Sequence, residues 1–152
     1  MSVRKAVHDA VAGQLELQSV YTMVDMWKAQ ITPTKNKFAP GFPAAFVSIK
    51  NIKWEDMTLD QKQGNVAIQI YLFFDKYGDT FEKATDKEKS FEIMDMMEES
   101  SEKIHWLQEN IFSELTQTGE EDLTEQYGRP VYRLTFETLV YKQIRENIHV
   151  DH

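Results

Sequence analysis

The chain has 152 residues, 41% apolar and 28% charged, a composition that fits one folded domain able to bury its own core. It has no cysteine, which excludes disulfides, thiolate catalysis and Cys-ligated zinc and is in keeping with a cytoplasmic protein. The net charge of −8 is uneven: residues 75–125 hold 16 acids and 5 bases, the remainder 9 acids and 12 bases, a surface that excludes wrapping of nucleic-acid phosphates.

Val3, Ala6, Val7, Ala10, Val11 and Leu15 recur at three- and four-residue steps, which predicts a helix with Ser2 as its N-cap and Gly13 weakening its end. The basic start Arg4-Lys5 runs into His8 and Asp9 rather than an apolar segment, so no signal peptide is expected. Ser19 to Trp27 mixes β-branched and aromatic residues and reads as a short strand. Lys28 to Pro43, with three prolines, Gly41 and the lysines Lys28, Lys35 and Lys37, reads as a long basic loop presenting Phe38 and Phe42. Ala44 to Lys50 alternates as a strand does. Val66 to Phe74 is almost continuously apolar, as a central strand is, and is too short to span a bilayer. The two are read as arms of a long hairpin reaching beyond the sheet, with Gly64 marking a bulge in the return strand and the apolar Ile52, Trp54, Met57 and Leu59 left without a core.

Thr85-Asp86-Lys87-Glu88 has capping-box spacing, and a helical period then runs through Phe91, Met94, Met97, Ser101, Ile104, Leu107, Ile111 and Leu115, which predicts a second long helix. Its other side carries Glu92, Asp95, Glu99, Glu102 and Glu109. Gly119 to Pro130, with Glu120, Glu121, Asp122 and Glu125, reads as an acidic loop continuing that face. Two readings of the acidity stay open, a solvated surface or a pole attracting the basic side of another copy. Val131 to Tyr141 alternates as a half-buried strand, and residues 143–152 are read as a mobile tail. The expected fold is therefore a single α+β domain in the order α-β-β-β-α-β. It is a two-layer sandwich, a mostly antiparallel sheet of three to four strands with two helices on one face and the other face partly uncovered.

Phosphate loops, nucleophile elbows and metalloprotease motifs do not occur. His8 and Asp9, adjacent on a helix, are expected to point apart into solvent. His105 is expected near Glu102 or Glu109, an ion pair before it is an acid-base site, and Glu98, Glu99 and Glu102 offer too few oxygens for calcium. Met94, Met96 and Met97 read as adaptable core filling. No catalytic residue, metal site or cofactor is expected.

Phe42-Pro43-Ala44-Ala45-Phe46-Val47-Ser48-Ile49, a polar excursion, and Gln69-Ile70-Tyr71-Leu72-Phe73-Phe74 resemble the centre of the tail terminator family of long-tailed phages, which includes minor tail proteins of the lambda type. The likeness extends in order and length over Val3-Arg4-Lys5-Ala6-Val7 and the later helix and strand, although the lysine loop and the acidic loop are longer here. The resemblance implies a virion-assembly protein, phage or prophage, without enzymatic activity. Such a protein acts in the host cytoplasm during assembly and then in the tail-neck region, as a homo-hexameric ring that caps the tail tube and meets the head connector. DNA would pass through without specific binding, and no membrane is involved. Phe38, Phe42, Lys53, Trp54, Met57 and Leu59 are the expected oligomer interface. Glu99, Glu102, Glu120, Glu121 and Asp122 are the expected acidic face. Two rival readings remain: another phage neck or connector protein, and a small-ligand binding domain or enzyme with His105, Trp106 and Tyr127 around one pocket.

Overall fold

The computed structural model describes residues 2–31, 41–57, 60–74 and 86–143. The elements are α1 (Val3–Gln18), β1 (Met23–Met26), β2 (Ala44–Asp56), β3 (Gln61–Phe73), α2 (Asp86–Ile104), β4 (Thr116–Asp122), α3 (Thr124–Tyr127) and β5 (Val131–Gln143). The α+β class and the α-β-β-β-α-β order are present, with one further strand, β4, and a single helical turn, α3, ahead of the last strand.

α1 starts where the sequence places it. The Ser2 hydroxyl accepts the Lys5 N–H at 3.2 Å, satisfying one of the donors a helix start leaves unpaired. Val3, Val7, Val11 and Leu15 form one buried stripe. Gly13 does not end the helix, which runs on to Gln18 and stops at Ser19 in left-handed conformation (φ 61°).

The strands form one sheet in the order β1-β2-β3-β5-β4, antiparallel except for β1, which lies parallel to β2. Alternation divides its two faces. Val47, Ile68, Ile70, Leu134, Phe136 and Val140 meet the α1 stripe with Ile93 and Met97 of α2, which makes the main core. On the reverse face Ala44, Phe46, Tyr71, Phe73 and Val131 form a smaller cluster with Trp27, Ile31, Phe42 and Tyr127. Trp27 closes it by stacking on Tyr71 at 4.4 Å between ring centroids. The rest of that face, from Gln69 and Thr135 out to Asn65 and Glu137, is polar apart from Ala67 and passes from half-buried to exposed.

Four sequence expectations need correction. The β2–β3 pair does not stand free of the sheet, because β5 accompanies β3 along its whole length, from Phe73↔Val131 to Gln61↔Gln143. Ile52 and Trp54 consequently pack against the main core and are half-buried. The bulge lies in β2, where the register slips between Ile49 and Ile52, and not at Gly64. There Arg4 of α1 reaches over and donates to the carbonyls of Ile49 (2.6 Å) and Lys50 (3.2 Å), satisfying acceptors the bulge and the open edge leave unpaired.

The second helix stops at Ile104. Leu107, Ile111 and Leu115 continue its apolar spacing from a folded-back segment, stitched to β5 by Ser113 N–H to Leu139 O at 2.8 Å and Tyr141 N–H to Ile111 O at 2.9 Å. The acidic stretch is no simple loop either: Thr116–Asp122 pairs with β5 as an edge strand, with its own register slip between Gln117 and Gly119. Among the described residues no helix is long and apolar enough to cross a membrane.

Candidate assembly surfaces and clefts

The sheet order leaves two free edges on opposite sides of the molecule. On one side β1 covers β2 only from Ala44 to Val47, so among the described residues the outer edge of β2 from Ser48 to Asp56 is open apart from the Arg4 contacts. This arm exposes Lys50, Asn51, Lys53, Glu55 and Asp56 and leads to Met57, which is 52% exposed. Trp54 lies on the helix side of the arm with the Lys62 ammonium 4.6 Å above its ring. Gly64, its register partner, is glycine for a steric reason. A Cβ there would meet Ile52 Cγ2 at 2.6 Å and the Trp54 ring at 2.9 Å.

On the other side β4 exposes Glu120, Glu121 and Asp122. Charges on an outer strand resist indiscriminate edge pairing. Arg133 of β5 donates to the Glu121 carboxylate, from Nε at 3.0 Å, and to the Tyr71 hydroxyl at 3.4 Å. The Tyr71 and Glu121 acceptors together hold the Arg133 guanidinium above its already high ordinary pKa. Asp122 accepts the Thr124 N–H at 2.8 Å and starts the α3 turn.

Of the expected interface residues, Lys53 and Met57 are exposed on the arm and Trp54 is half-covered there. Phe42 sits apart, half-buried in the reverse-face cluster beneath the Arg129 guanidinium at 4.2 Å, so it belongs to packing and not to the arm. Phe38, Leu59 and the tail from 144 onward lie outside the described residues. Glu99 and Glu102 are exposed on α2, as expected.

Each histidine of the described residues, His8 and His105, lines a cleft. The larger, 520 Å³, runs between α1 and the β1–β2 edge and is lined by Arg4, His8, Asp9, Trp27 and Ile49 among others. Here the structure overturns the expected divergence of His8 and Asp9: His8 Nδ1 lies 3.2 Å from Asp9 Oδ1, and Lys5 donates to the other carboxylate oxygen at 2.9 Å. These bonds, Lys5 first and then His8, pull the exposed Asp9 carboxyl below its ordinary pKa. A carboxylate can only accept, so Nδ1 carries the proton of the neutral ring, and Nε2 is left buried without a partner.

The second cleft, 310 Å³, lies where α2 ends beside β4, lined by Glu98, Ser101, Glu102, His105, Trp106 and Gln117. His105 does not pair with Glu102 or Glu109 in the way the sequence suggests. Its Nδ1 accepts the Gln117 N–H at 3.2 Å, which fixes the neutral tautomer with the proton on Nε2. Trp106 follows in left-handed conformation (φ 70°), directly past the helix end, a position where glycine is usual. Its N–H is held by Leu115 O at 2.8 Å, its ring lies edge-on to His105 at 4.5 Å, and the side chain is 64% exposed. Tyr127 is on the reverse face, edge-on to Phe73 at 5.2 Å, and burial raises its pKa. The structure therefore joins His105 to Trp106 but not to Tyr127. Ser101, which the sequence places in the period of the second helix, and Gln117, which no sequence pattern singles out, complete the cleft.

Among the described residues no group of three or more His, Cys, Asp or Glu side chains is arranged to hold a metal ion. No protein-family model matches the chain, and no characterised protein matches it in sequence.

Proposed function

We propose that this chain is a structural assembly protein that joins head to tail with copies of itself into a closed ring, in the manner of a phage tail terminator. The reading draws its main support from one observation. The two free edges of the sheet lie on opposite sides of the molecule and differ in charge: the β2 arm exposes Lys50 and Lys53 beside Glu55 and Asp56, whereas β4 exposes Glu120, Glu121 and Asp122 and has no basic residue of its own. A contact between unlike surfaces repeats from copy to copy, and it closes into a ring when the rotation per subunit divides a full turn. Self-paired patches would instead stop at a dimer. Half-buried Trp54 and exposed Met57 give the arm the aromatic and thioether surface that subunit interfaces favour.

The resemblance to tail terminators adds the biological content. The ring, hexameric in that family, would sit on the end of the tail tube, halt its growth and offer a surface to the head connector. The acidic α2 and β4 surface suits a wall that passing DNA does not stick to. Light scattering over a range of protein concentrations, with negative-stain imaging of whatever forms, tests the proposal. The expected result is a ring, free in solution or on added tail tubes. A chain that stays monomeric at high concentration and leaves tail tubes uncapped contradicts it.

A further inference from the structure

We propose that the cleft at the end of α2 receives an ammonium or guanidinium side chain, and that the β2 arm of a second copy supplies it. The source of the cation rests on the head-to-tail reading above; the chemistry of the cleft does not.

Four features of the cleft point to a cation. Glu98 and Glu102 stand on its rim, one helical turn apart and both exposed. The cleft lies at the C-terminal end of α2, where the helix dipole favours positive charge. Lys103, the basic residue of that last turn, is not among the lining residues, so the helix does not fill the cleft with its own charge. The Trp106 ring offers an exposed π face beside the carboxylates.

A further observation indicates an occupant. Ser101 lines the cleft at 4% exposure, and its hydroxyl is buried with no hydrogen-bond partner. Buried hydroxyls are almost always paired, so an unpaired one calls for a missing partner. An ammonium or guanidinium carries several donors, and the hydroxyl has lone pairs to accept one of them. Trp106 fits the same explanation. A bulky residue past a helix end in left-handed conformation is strained, and strain of this kind gathers at binding sites.

The occupant follows from placement. Gln117 belongs to β4 and lines the cleft, so the cleft opens beside the acidic edge. In a head-to-tail assembly that edge faces the neighbour's β2 arm, which exposes Lys50 and Lys53.

The test uses the full chain, isotope-labelled, titrated with N-acetyl-lysine methylamide, whose ε-ammonium is free, and with its norleucine counterpart, which lacks the charge. The lysine probe should shift the Trp106 indole and Gln117 amide resonances and the norleucine probe should not. Glu98→Gln with Glu102→Gln should weaken the probe about tenfold and weaken self-association in sedimentation, with the melting temperature preserved. Trp106→Phe, which keeps an aromatic wall, should retain part of both. No response of Trp106 and Gln117 to the lysine probe overturns the cleft chemistry even if rings form. A normal probe response with self-association untouched by the Glu98 and Glu102 substitutions overturns the assignment of the second copy as occupant. A probe response from a chain that never self-associates overturns that assignment and the ring reading together, and leaves the cation site standing.

Discussion

Tyr21, Ser100 and Gln18 tie the end of α1 to the middle of α2. The Tyr21 hydroxyl meets Ser100 Oγ at 2.5 Å, Ser100 Oγ lies 2.7 Å from Gln18 Oε1, and Gln18 Nε2 donates to Met96 O at 3.2 Å. Burial pushes the Tyr21 pKa up to about 12, against the help of its Ser100 bond. The sign follows from linkage. The folded state holds the phenol proton more tightly than the unfolded chain, whose tyrosine titrates near 10. This contribution to stability is therefore complete below pH 10 and is lost as pH rises towards 12. Chemical denaturation at stepped pH should show wild type losing stability over that window by more than Tyr21→Phe does. Equal slopes would mean Tyr21 ionises freely in the folded protein. At Trp106 the backbone and the side chain pull in opposite directions. Trp106→Gly relieves the left-handed strain and should raise stability by about 1 kcal/mol in thermal denaturation, while removing the aromatic wall of the cleft. A loss of stability would mean that the ring contributes more to packing than its exposure implies.

At the level of elements, the β2–β3 hairpin is the part whose stability most depends on one residue. Trp54 and Ile52 cross the position where Gly64 lacks a side chain, and Lys62 covers the indole. Gly64→Ala should displace both side chains and cost roughly 1–3 kcal/mol, read as a lowered melting temperature together with a red shift of tryptophan emission. An unchanged melting temperature would mean that the arm is looser than its packing suggests. The sequence was readable where burial imposes a period, as in the α1 stripe, the apolar β3 and the alternating β5. It misled where the period and the backbone part company. Leu107, Ile111 and Leu115 keep helical spacing although the chain has already turned at His105 and Trp106, because the folded-back segment buries Leu115 and half-buries the other two on the same core. β4 gave no signal because an edge strand made of Thr, Gln, Gly, Glu and Asp owes its pairing to distant β5 and not to its own apolar pattern. The arm lysines and the acidic run were legible as charge, but their assignment to opposite edges needed the sheet order. The cleft was half legible: His105 and Trp106 stand out in the sequence and Ser101 lies one helical turn before His105, whereas Gln117 meets them only through the turn after α2. His8 and Asp9 were misjudged because backbone direction alone ignores how far an imidazole can swing towards its neighbour.

For the whole molecule, the central claim is an unlike contact between two edges, and a pair of edge-blocked variants distinguishes it from self-paired contact. One variant carries Lys50→Glu and Lys53→Glu on the arm; the other carries Glu120→Lys and Asp122→Lys on β4. Each retains one intact edge. Like charges set against each other across an interface suppress it, so each variant alone should remain a monomer, while opposite charges in the wild type favour it. The measurement is molar mass by light scattering on each variant and on their equimolar mixture. An unlike contact predicts a monomer for each variant alone and, in the mixture, assembly with the two variants alternating, because the intact edges meet each other and the two reversed edges again set opposite charges face to face. Assembly of either variant alone to the wild-type mass, or a mixture that stays monomeric at a concentration where wild type assembles, would contradict it.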